Sequence, residues 1–225
     1  MDYLSVFLQI TFYVLFVATL ARFLRQPSRI ELAVVAVFGS TAAIFGYSLL
    51  NGLLPGLLTP LQPLVVAILL AQPLMLFWMV GQIERVSSWV VPVVFLCFVV
   101  ASAGFVLLPP RTPAVSLFIA AYFVVGEGAA GMLLIRGSRR RYGLARARLA
   151  LAGVGSLLFG GGIFVAAVAS AAAGAGTTDP AATLVSRLAA VVAALAFLAA
   201  FVPPRALRNL AQRAIAFHSA LARPF

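Results

Sequence analysis

The sequence predicts an all-α, polytopic membrane protein: a bundle of seven transmembrane helices followed by a short C-terminal amphipathic helix. Three observations carry that prediction. Of the 225 residues, 64% are apolar and 9% charged, and the mean hydropathy of +1.12 is far above that of soluble domains. Seven apolar runs reach the roughly 20 residues a helix needs to cross the hydrocarbon. They fall at 3–21, 31–51, 62–82, 88–108, 114–135, 149–173 and 183–203, and none alternates with the period of two that marks a barrel strand. Finally, the basic residues sort by side. All 16 basic side chains are Arg; 14 of them fall on one face of the predicted bundle, and only Arg111 and Arg187 on the other. The positive-inside rule then puts the N-terminus outside and the C-terminus in the cytoplasm, as an odd number of spans requires. In a bacterium this is the inner membrane.

Span one begins after Asp2 with no basic residue before it, so it lacks the start of a cleavable signal peptide and is expected to be retained. Arg22, Arg25 and Arg29 lead into span two. The outer connection "NGLLPGLLTPLQP" (51–63), apolar with three prolines and two glycines, suits an interfacial turn. In span three Pro73 should kink the helix near its middle, with Gln72 beside the freed carbonyl. Span four carries the lone cysteine, Cys97, which excludes an internal disulfide and reads as packing. "LLPPRTPA" (107–114) stops that helix firmly.

Span five, "AYFVVGEGAAG", holds one acid, Glu127, among small residues. Six arginines (136, 139, 140, 141, 146 and 148) separate it from span six. There Ala152, Ser156 and Gly160, then Gly162, Ala166, Ser170 and Gly174, recur every four residues. Such small-residue stripes let backbones approach, either inside the bundle or across a homodimer face. Thr178 or Asp179 can cap span seven, with Pro180 at its first position. Residues 1–203 thus form the bundle and 204–225 a surface helix. Pro203 and Pro204 end the last span, and Leu207, Leu210, Ala214, Phe217 and Leu221 then form a two-heptad seam beside Arg205, Arg208 and Arg213. The seam fits an amphipathic helix on anionic lipid or the start of a dimeric signalling helix.

Several chemistries are excluded or disfavoured by residue type. Without lysine there is no retinal Schiff base. With a single histidine, His218, in the tail, neither a haem nor a metal centre is expected, and no cofactor is. The arginine excess follows the membrane, so no nucleic-acid partner is expected. No catalytic constellation appears, and no enzymatic role is assigned.

Glu127 remains. Counting 13 residues from Ala114 at 1.5 Å each puts it about 20 Å into the membrane. There a lipid-facing carboxylate is too costly, so it should face the bundle or a watery cavity, or be neutral. Gly126, Gly128 and Gly131 leave room for a pocket or a closely approaching helix. Gln72, Tyr47, Thr41, Ser40 and Ser156 are candidate partners at similar depth. Glu127 then either anchors a ligand, titrates, or braces the bundle as a hydrogen-bonded neutral acid.

The motifs "LLAQPLMLFWMV", "AYFVVGEGAAG", "RGSRRRYGLARARLALAGVGSLLFGGG" and "FVPPRALRN", spread over nearly the whole chain, resemble the seven-transmembrane N-terminal regions of bacterial sensor proteins. In those proteins the bundle precedes GAF, PAS, histidine-kinase or diguanylate-cyclase modules. The resemblance implies a sensory input whose C-terminal helix passes a signal to a cytoplasmic output domain or partner protein. This chain ends at Phe225 before any such module, so no catalytic residue carries over; a stand-alone member or a piece of a longer chain is expected. The residues also allow a small-solute transporter or channel with Glu127 and Gln72 in the path, or a membrane anchor and interaction protein. Lipid, a small-molecule ligand and a homodimer through span six or the tail are the partners to be expected.

Overall fold

The computed structural model describes residues 3–54, 56, 58–107, 113–173 and 180–202. It is all-α: α1 (Tyr3–Arg25), α2 (Arg29–Leu53), α3 (Gln62–Leu70), α4 (Gln72–Gly81), α5 (Val90–Leu107), α6 (Pro113–Ser138), α7 (Gly143–Ala173) and α8 (Pro180–Phe201), with a 3-10 turn at Thr59–Leu61 before α3. Among the described residues seven helical spans are long and apolar enough to cross a membrane, α3 and α4 together making one of them. The chain is therefore a multi-pass membrane protein. The tail positions, from Pro203 through Leu221, lie outside the described residues, as do Thr178, Asp179 and the side chain of Ser170.

The helices start and stop for local reasons. Ser28 caps α2, its hydroxyl accepting from the Glu31 N–H at 3.2 Å, in a Ser-x-x-Glu box that also sets an acid in the first turn. Proline in the third span interrupts its hydrogen bonding without ending the helical course of the chain. Pro73 has no N–H to offer, and α3 passes into α4 at Ala71, whose φ of −72° and ψ of −13° stay helical. The two basic-side helices run longer than their apolar cores. Arg136 closes α6, and Arg146 and Arg148 lie inside α7, which begins at Gly143 in the left-handed region at φ 59°. Arginine stems can lie along an apolar helix while their heads reach water, so helix outlasts hydrophobicity here.

Packing arranges six spans in a closed ring, in the order α1, α2, α3/α4, α6, α7, α8 and back to α1. α5 stands outside it, against α3, α4 and α6. Phe12, Leu15, Val37, Phe38, Leu76, Val80, Leu134 and Phe197 fill the core of the ring. Phe38 meets the rings of Phe197 and Phe201 edge-on, with centroids 5.5 and 5.1 Å apart, tying α2 to α8 across it. Glycine sets the closest approaches. A Cβ on Gly153 would lie 2.6 Å from the Gly131 carbonyl, and one on Gly131 2.8 Å from the Gly153 carbonyl, so α6 and α7 touch backbone to backbone. Gly162 likewise meets Ser186 and Ala189 of α8. Ala152, Ser156 and Gly160 are buried, and Ser156 and Gly160 both pack on Glu127. Among the described residues, Ser156 and Gly160 of the first stripe thus face α6, and Gly162 of the second faces α8.

Candidate functional site

Four helices each send one polar side chain to the centre of the ring. Thr41 comes from α2, Gln72 from the first turn of α4, Glu127 from α6 and Ser156 from α7, and all four are at most 2% exposed. Thr41 Oγ1 donates to Gln72 Oε1 at 3.1 Å, and Gln72 Nε2 donates to Glu127 Oε1 at 3.3 Å. Ser156 Oγ closes the far side, bonded to Glu127 Oε2 and lying 3.1 Å from the main-chain oxygen of Glu127. The result is one hydrogen-bonded chain from α2 to α7.

The break in span three makes this possible. Gln72 stands in the first turn of α4, just before Pro73, and its amide reaches the neighbouring α6. Gly126 lets α6 come near enough: its Cβ would sit 2.7 Å from Pro73 Cβ. On the α7 side a Cβ on Gly160 would sit 2.9 Å from Glu127 Cβ. Tyr122, one turn earlier on α6, donates from its hydroxyl to the Leu70 carbonyl at 2.9 Å and so satisfies an acceptor at the broken end of α3.

The partners of Glu127 are neutral. An acid at mid-membrane costs about 3 kcal/mol to insert, so hydrogen bonds on both carboxyl oxygens are what hold it there. The donor count also has a consequence. Ser156 carries one hydroxyl proton but has two acceptors in reach, the Glu127 carboxyl and the Glu127 main-chain carbonyl. When Oε2 is unprotonated, the serine serves the carboxyl. When Oε2 carries a proton, it donates to Ser156 Oγ, and the serine turns to the carbonyl. The same atoms therefore support two hydrogen-bond patterns.

Of the residues expected around Glu127, Gln72, Thr41 and Ser156 join it. Ser40 is buried beside Thr41 but satisfies itself on its own helix, donating to the Val37 carbonyl at 2.7 Å. Tyr47 is half-buried, six residues further along α2, and takes no part in the chain. Gly126 and Gly131 are close-approach positions; Gly128 has nothing within 4 Å of its Cβ position and makes no such contact.

A second polar group, not anticipated from sequence, sits at the basic end. Arg22 of α1 pairs with Glu31 of α2, and its Nη1 donates to the Phe201 carbonyl at 2.9 Å. Arg148 Nε of α7 donates to the Ala200 carbonyl at 2.6 Å. Two guanidiniums thus cap the C-terminus of α8, where helix carbonyls lack donors and cations are favoured. The signal was present in the arginines themselves, but their value as topology markers hid it. Tyr122 was hidden similarly: a proline in mid-span leaves carbonyls in need of a donor, and a tyrosine in another span can supply one. Glu84 and Arg140 form a looser pair at 3.6 Å between the α4–α5 and α6–α7 connections.

Comparisons of the chain with protein-family models, with curated proteins and with solved structures find no match.

Proposed function

We propose that the chain is a sensory module of the bacterial inner membrane, N-terminus outside and C-terminus cytoplasmic, in which the Glu127 centre sets the state of the bundle and α8 carries that state to the cytoplasmic side. The observation that carries this reading is the unbroken hydrogen-bonded chain Thr41–Gln72–Glu127–Ser156, which makes four helices depend on the occupancy of one carboxyl. A stimulus acts only through a difference in affinity between two states, and the alternative bonding of Ser156 supplies two states to choose between. α7, which carries Ser156, also carries Arg148, whose contact with Ala200 holds the end of α8. On this reading the tail beyond Pro203 connects to an output domain or partner protein, and no catalytic step is assigned to the bundle.

The test uses the full chain in liposomes with Cys97→Ala, and spin labels at Val202 and Tyr142. Glu127→Gln and Ser156→Ala should each change the label-to-label distance distribution, by about the 1–2 Å of a helix shift or more. Distances indifferent to both substitutions would remove the sensory reading. Solute flux through the same liposomes, abolished by Glu127→Gln, would select a transporter instead. Labelling of a cysteine beside Arg140 from the periplasm would reverse the orientation.

A further inference from the structure

The groove between α5 and α6 borders the Glu127 centre at Gly126 and Tyr122 but has a different character. It encloses about 960 Å³, at the top of the range for small-molecule sites, and opens sideways where the bundle meets hydrocarbon. Val93, Val94 and Cys97 of α5 form one wall, and Gly126, Ala129 and Met132 of α6 the other. α5 contributes a single fully buried residue, Ala101, so most of this helix is free to face a non-protein neighbour.

The basic end of the groove differs from the rest. Arg136, in the last turn of α6, and Arg139, just past its end, line it together with Trp89. Arg22, Arg140 and Arg148 are engaged by Glu31, Glu84 and the Ala200 carbonyl, whereas among the described residues Arg136 and Arg139 have no protein acceptor and are exposed. Trp89 is 65% exposed, as suits an indole at the headgroup level.

Depth fits as well. On α6 the lining runs on to Phe118, and the part from Arg136 to Gly126 is ten residues, about 15 Å along the helix and about half the hydrocarbon thickness. The α5 wall from Trp89 to Cys97 covers about 12 Å of that. The two-walled part of the groove is therefore one leaflet deep.

We propose that this groove is a binding site for an anionic phospholipid, with one acyl chain between α5 and α6 and the phosphate held by Arg136 and Arg139. Apolar contact alone cannot select a lipid within a bilayer, because every neighbour offers the same hydrocarbon. Selection comes from the two guanidiniums, whose forked donors match phosphate oxygens and whose positive charge lacks a partner in the protein. A second copy of the chain is the rival occupant, but an apolar helix face would then bring two sets of unpaired arginines together.

Trp89 reports on the site directly. In full-length protein with Trp78→Phe, reconstituted in phosphatidylcholine vesicles with a minor fraction of phosphatidylglycerol, either lipid can be supplied with brominated chains that quench indole fluorescence. Brominated phosphatidylglycerol should quench Trp89 as though enriched on the order of tenfold over its bulk fraction, a scale that two phosphate-facing arginines supply. Arg136→Gln with Arg139→Gln should abolish the enrichment while leaving quenching by brominated phosphatidylcholine unchanged, which also reports correct insertion. The control pair Arg25→Gln with Arg146→Gln removes the same charge from the same side and should leave the enrichment intact. The proposal is overturned by equal enrichment of both lipids, by loss of enrichment in the control pair, which would mean diffuse surface potential, or by no quenching from either lipid, which would mean that protein covers the groove.

Discussion

Two polar groups hold the ring together, and they do so by opposite chemistry. At mid-depth, Thr41, Gln72, Glu127 and Ser156 form a closed set of hydrogen bonds whose donors are all neutral side chains. At the basic end, Arg22, Glu31 and Arg148 use formal charge, with the side chains of Arg22 and Glu31 42% and 19% exposed. Solvent accounts for the difference. Where water reaches a group, ionised side chains keep part of their hydration and an ion pair costs little to assemble; in hydrocarbon each charge must be compensated by the protein alone. The deep group should therefore matter more, tolerate less, and ignore salt.

That contrast can be broken or sharpened by substitution, with stability read from unfolding in mixed micelles. The largest effect is expected at Glu127. Glu127→Ala removes the acceptor of Gln72 and a partner of Ser156 and leaves a cavity, for a loss of about 3 kcal/mol, whereas Glu127→Gln, with the same shape and an acceptor oxygen, should cost about 1 kcal/mol. Equal losses would mean that the site needs a charge, and the comparison would fail. Gly153→Val should cost about 2–3 kcal/mol, because the new side chain meets the Gly131 carbonyl and the Ile135 side chain. Tyr122→Phe leaves the Leu70 carbonyl without its side-chain donor and should cost about 1–2 kcal/mol. Arg22→Gln should cost about 1 kcal/mol or less after discounting for exposure, and raising the salt concentration should shrink that difference while leaving the Glu127→Ala loss unchanged. The smallest change is Gly128→Ala, expected to be neutral or stabilising by about 0.5–1 kcal/mol, since nothing lies within 4 Å of the added methyl. A large loss there would place a neighbour where none is described.

Some of this was legible in the chain itself. The position of each span follows from runs of apolar residues, and Pro73 announced the interruption in the third span. The stripes of small residues in α7 pointed to Ser156, Gly160 and Gly162 as contact positions, but the closest approach, at Gly153, lies outside both stripes, and nothing in them says which helices lie against them. Glu127 stood out because an acid in such a run is costly wherever it points. Its partners were less legible: Gln72, Thr41 and Ser156 belong to the centre and Tyr47 does not, yet all four share a plausible depth.

By itself the sequence determined the quantities that each residue carries alone: transfer free energy, helix length, the sites where backbone hydrogen bonding must fail, and the side on which arginine accumulates. Only the tertiary structure decided that six spans close into a ring with α5 outside, that Glu127 turns towards Gln72 and Ser156, and that Arg22 and Arg148 grip the end of α8. The reason lies in the solvent. In water an apolar stripe tells a helix which face to bury, but in hydrocarbon every face is equally acceptable, and steric fit and the pairing of a few polar groups choose the neighbours.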